Sequence, residues 1–181
     1  MFAHCRAVAT VLTGLAVFPA AQAQESATLA HGENVYERTC AVCHVKRMAP
    51  DEVRSRRDLA APPMNLMTTH MRMKMDNSKA AFIAHMVDFT MNPRRDKAKA
   101  MPRAINRFGL MPPITTIAPD ITKADIRAVG EWAWHHYDYA AMKQKLQRHL
   151  RMEGHHGRGQ GRRHGTDAGG GAGSASGSGQ P

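Results

Sequence analysis

The chain has 181 residues, 43% hydrophobic and 22% charged, and its 25 Lys or Arg against 15 Asp or Glu give a formal charge of +10. That length suits one folded domain with tails and excludes two independent cores. The positive excess favours anionic partners or surfaces, but no DNA- or RNA-binding motif accompanies it, so nucleic acid is not expected as a partner.

Residues 1–23 read as an export signal: His4 and Arg6 open it, Ala7 to Ala21 is apolar, and Ala21-Gln22-Ala23 forms a small-residue cleavage site. The apolar run is shorter than the roughly 20 residues that cross a bilayer. Cleavage after Ala23 then leaves a soluble periplasmic chain with no transmembrane span, starting at Gln24; retention of the segment as an anchor is the alternative. Cys5 and Arg6 depart with the signal, which lowers the charge to +9 and leaves only Cys40 and Cys43. In an oxidising compartment no thiol remains over for a structural disulfide.

The run from His31 to His44 places Val35 and Tyr36 on the same side of a helix as Cys40, and Gly32 near its start permits another element to approach closely. It ends in Cys40-Ala41-Val42-Cys43-His44, the signature of covalent haem attachment. Two thiols three positions apart can add to the two vinyl groups of one haem, and the next histidine can ligate its iron from one face. A redox dithiol or half a zinc site are the alternatives. The first wants a strand before the motif and a helix after it, the second another ligand pair, and neither is visible in the sequence.

Gly32, Val35, Tyr36 and the Cys40 to His44 signature resemble the opening of a class I monohaem c-type cytochrome. The resemblance covers roughly residues 29 to 140 and is loose in the middle. It implies an all-α, small cytochrome c-like fold of four to five helices wrapped round one covalently bound haem c, with crossing N- and C-terminal helices. It also implies His44 as proximal ligand and a methionine far along the chain as distal ligand.

Val45 to Ala61 is polar and basic, with Pro50-Asp51-Glu52 as a short helix start, and Ala61-Pro62-Pro63 breaks any helix. In similar cytochromes a proline in this loop offers its carbonyl to the ligating histidine's other ring proton. The resemblance thus makes Pro62 or Pro63 the supporting residue, against a plain turn. Residues 46 to 107 hold 14 Lys or Arg against 6 Asp or Glu, a candidate docking face for an acidic partner or simply a solvated one. His70, Met71, Met73 and Met75 admit a copper(I) reading, set against methionine as apolar filler in a chain with 13 of them.

Asn77 or Ser78 caps a helix running to about Met91, whose Phe82, Ile83, Met86 and Phe89 recur at helical spacing and face the haem. Met111 lies in Gly109-Leu110-Met111-Pro112-Pro113-Ile114, 67 residues after His44, and two prolines stiffen the segment. It resembles the Met-Pro loop of class I cytochromes, which carries the distal ligand to Met111. Met101, also followed by proline, is the competitor, and His70, His85 or an open site remain. Thr122 and Asp125 stand at capping-box spacing before a last helix with Ile126, Val129, Ala133, Trp134 and Tyr137 on its apolar face. Gly130 and Ala133 are the expected crossing point for Gly32 and Tyr36, with His135 and His136 at the rim. The cytochrome domain then covers residues 24–150. The tail 151–181, rich in Gly, Ser, Arg and His, is expected to be disordered, with His155, His156 and His164 as loose metal ligands at most.

A histidine and a methionine fill both axial positions, so the expected function is single-electron transfer between redox proteins and not enzymatic turnover. One rival is a haem c subunit of a larger periplasmic oxidoreductase, with the Met-rich segment 64–75 as its exposed apolar contact. The other is a periplasmic copper-binding protein using the Met-rich and His-rich segments.

Overall fold

The computed structural model describes residues 18–159; most of the expected export signal, with Cys5, and the tail from residue 160 lie outside the described residues. All regular structure among them is helical: α1 (Phe18–Val35) runs into a π-helical turn (Tyr36–Cys40), then come α2 (Pro50–Ser55), α3 (Met64–Lys74), α4 (Lys79–Met91), α5 (Pro102–Phe108), a 3-10 turn (Ile114–Thr116), α6 (Lys123–His136) and α7 (Tyr139–Gly159). That makes seven α-helices where the resemblance implies four to five. The prolines read as helix breakers also start helices. Pro50 and Pro102 stand in the first turns of α2 and α5, where a missing N–H costs nothing, and α3 begins directly after Pro63. None of these helices is long and apolar enough to cross a membrane.

Local chemistry sets the boundaries of the two helices that matter most for the core. The Ser78 hydroxyl accepts the Ala81 N–H at 3.3 Å to start α4, just after Asp76 and Asn77 reverse the chain with φ of 49° and 56°. At α6 the Asp125 N–H donates to Thr122 Oγ1 at 3.1 Å and the Thr122 N–H to Asp125 Oδ2 at 2.9 Å, a reciprocal capping box. The Thr122 hydrogen bonds hold the Asp125 carboxyl down at about 2, helped by His31 of α1, whose Nε2 lies 2.8 Å away.

Helix α6 is the central element, packed on α1 along one face and on α4 along another. Among the described residues, Leu29 of α1 packs against the core, and Val35 of α1 and Tyr36 of the turn after it are buried within it. The Tyr36 ring stacks on Trp132 with centroids 4.7 Å apart. A Cβ on Gly32 would stand 2.1 Å from the Ala128 carbonyl oxygen and 2.9 Å from Trp132 Cβ. The two helices therefore touch backbone to backbone at Gly32, as its position suggests, but against Ala128 and Trp132. Gly130 faces the other way, toward Ile83 and Met86 of α4, because two residues along a helix turn about 200°. Gly32→Ala is expected to force α1 off α6 and cost about 3 kcal/mol, the upper range for overpacking against backbone, read as a lowered midpoint in denaturant unfolding.

Helix α7 folds back on α3 and α2. The buried Arg72 of α3 ties it down, its guanidinium 3.7 Å from the Trp134 ring centroid and 4.3 Å from that of Tyr139. Arg72 also donates from Nε to Asn77 Oδ1 and from Nη1 to the Trp134 carbonyl, and no carboxylate is among these partners.

Candidate functional site

The π-helical turn closing α1 brings the motif to its site. The Ala41 N–H donates to the Tyr36 carbonyl at 2.9 Å, five residues back, a rare widening often found at functional positions. The Cys43 and His44 N–H groups then both donate to the Cys40 carbonyl, at 3.1 and 2.9 Å. This tight reversal leaves Val42 exposed and sets Cys40, Cys43 and His44 along the wall of one cavity.

That cavity has a volume of about 450 Å³, within the range of cofactor pockets. Its walls are mostly apolar, supplied by all the helices from α2 to α5 and by the segment Leu110 to Ile114. Among the described residues the charged side chains on its walls are Arg54, Lys99, Arg103 and Arg107, with no Asp or Glu. Such a cavity suits a large apolar body carrying carboxylates.

His44 is only 8% exposed. Its Nδ1 lies 2.7 Å from the Pro62 carbonyl oxygen. A carbonyl only accepts, so Nδ1 holds the proton and Nε2 keeps the lone pair a metal requires. Burial lowers the pKa of the ring, opposed by the Pro62 hydrogen bond, and so favours the neutral form. The Pro63 carbonyl is engaged elsewhere, accepting the Met67 N–H at 3.0 Å.

The backbone after His44 is pinned residue by residue. The Tyr36 hydroxyl donates to the His44 carbonyl at 2.5 Å, the Met64 N–H to Val45 O at 2.9 Å, and the Tyr137 hydroxyl to Lys46 O at 2.9 Å. The buried Asn65 amide pairs with both backbone groups of Met48, at 3.2 and 2.9 Å. Sequence reasoning counts Tyr137 only as an apolar-face residue and gives Asn65 no role, because a hydrogen bond across the fold leaves no local pattern. Burial pushes the Tyr36 hydroxyl up to about 12, so it stays a donor.

Both cysteines are free, and burial, with the neighbouring Cys43, pushes the Cys40 thiol up to about 11. A redox-active dithiol needs the opposite shift, toward thiolate. Among the described residues no group of three or more His, Cys, Asp or Glu stands together to hold a metal ion, which removes the second half of a zinc site.

The candidates for the second axial position meet in this same cavity: Met111, Met101, His70 and His85 all line it. Gly109, with φ of 76°, ends α5 and starts the stiff segment that carries Met111. His85 is stacked on Phe89 at 5.5 Å, and His70 has Nε2 3.1 Å from the Lys99 carbonyl. Met64, Met67 and Met71 also line the cavity from one side of α3, whereas Met73 points about 200° away from Met71, so the alternating thioethers do not converge. The residues fit a haem: two thiols, an imidazole of fixed tautomer, a thioether, apolar walls and cations for its carboxylates.

Outside the cavity the basic middle region is partly neutralised by its own acids, with Arg56 on Asp58 at 2.6 Å, Arg94 on Asp96 at 3.0 Å and Lys97 on Asp88 at 2.8 Å. His135 is exposed, and His136 is half-buried and stacked on Trp132 at 4.6 Å.

No protein-family model and no solved structure matches the chain. It is 30% identical over 133 residues to an uncharacterized protein of Aquifex aeolicus (strain VF5), an alignment covering 68% of this chain and 85% of that protein. At that identity and coverage, the chain belongs to the same family as the Aquifex aeolicus protein.

Proposed function

We propose that this protein is a periplasmic monohaem c-type cytochrome of the class I kind, a carrier of single electrons between redox proteins rather than an enzyme. One observation carries the reading: Cys40, Cys43 and a His44 ring with its proton fixed on Nδ1 border one largely apolar cavity with no acid among its described lining residues. A bound haem c supplies a one-electron couple at its iron. Cys40 and Cys43 would hold it as thioethers, His44 Nε2 would ligate the iron, and Met111 would fill the remaining axial position with Met101 as competitor. Arg54, Lys99, Arg103 and Arg107 on the cavity walls would place positive charge near its carboxylates. The remaining positive charge on residues 46 to 107 favours an acidic redox partner.

A carrier is favoured over a permanently bound haem subunit by the placement of Met64 and Met71, which are buried and leave segment 64–75 without the exposed apolar face such a subunit needs. Potentiometric titration of the protein purified from the periplasm should give a single one-electron transition, with no rapid CO binding to the reduced form. Rapid CO binding would instead mark an open iron and a catalytic or ligand-sensing protein.

A further inference from the structure

Helix α7 lies beyond the stretch that resembles class I cytochromes, yet it supplies part of the cavity wall. Tyr139, Met142, Leu146 and His149 recur at spacings that place them on one helical face. The first two anchor the helix: Tyr139 against the Arg72 guanidinium, and Met142 with its sulfur 3.9 Å from Asn65 Nδ2. The Asp138 carboxylate accepts the Ala141 N–H at 3.0 Å and caps the start. The next two, Leu146 and His149, line the cavity, and Leu146 is 5% exposed. An extension that merely trailed from α6 would have no reason to bury a leucine there.

We infer that α7 is a built-in wall of the cofactor site, and that Leu146 with His149 keeps water from the bound haem on the side that α7 closes against α2 and α3. This rests on the haem reading above. A water-poor surround disfavours the oxidised iron centre, which carries one more positive charge than the reduced one, so the wall raises the reduction potential. Leu146 and His149 act as positioning residues; neither is assigned to the iron.

The test uses the full-length holoprotein with Leu146→Gln, His149→Ala, Leu146→Met and, on the outward face, Arg148→Ala. Covalent haem content is read first. A wild type without covalent haem overturns the haem reading and this inference with it. With haem present in wild type and variants, the inference predicts lower midpoint potentials for Leu146→Gln and His149→Ala, and wild-type values for Leu146→Met and Arg148→Ala. Wild-type potentials in both cavity-facing variants would overturn it while leaving the haem reading intact. If Leu146→Gln yields no folded protein, His149→Ala decides: a lowered potential supports the wall and an unchanged one refutes it.

Discussion

Replacing both Cys40 and Cys43 with Ser is expected to abolish covalently bound haem and the compact fold together. The reason is the size of the cavity. Without a haem its apolar walls stay open to water, and at about 25 cal/mol per Å² of apolar surface the lost burial is on the order of several kcal/mol. Domains of this kind have only about 5–15 kcal/mol of total stability. On the proposed reading the haem would be part of the core, and the chain without it should lose fixed side-chain packing while keeping much of its helix content. Near-UV circular dichroism and limited proteolysis of the double variant check this. A haem-free chain with native near-UV signal and protease resistance would mean that the cavity closes on its own.

Met111→Ala has the second large effect. Removing the thioether leaves one axial position open, so the charge-transfer band of Met-ligated ferric haem should vanish and the reduced protein should bind CO rapidly. Met101→Ala should leave the band in place, since Met101 only precedes the first turn of α5. The reverse pattern would move the distal ligand to Met101. A band surviving both substitutions would exclude either methionine, and CO binding absent from Met111→Ala but gained on adding His70→Ala or His85→Ala would identify a replacement imidazole.

The parts legible in the sequence are those encoded locally. The Thr122–Asp125 box, the Ser78 cap and the α1–α6 contact at Gly32 each depend on residues whose spacing or size carries its own reason. The prolines were legible only in part, because the same residue stops one helix and starts the next. The hydrogen bonds from Tyr137 and Asn65 to the segment after His44 join residues far apart in the chain, and nothing local announces them. The same holds for Arg72, a cation that composition assigns to the surface and that two aromatic rings hold inside. Helix α7 leaves little trace in the sequence, because its polar, basic composition merges with the Gly-rich stretch that follows; only the cavity gives Leu146 and His149 a purpose.

The central claim is that one haem is held covalently by Cys40 and Cys43. Intact-mass measurement of the wild-type protein purified from the periplasm, after acid–acetone extraction of loosely held haem, tests it most directly. The expected mass is that of the processed chain plus one haem, with no titratable thiol. The mass of the bare chain, with both thiols free, would contradict it.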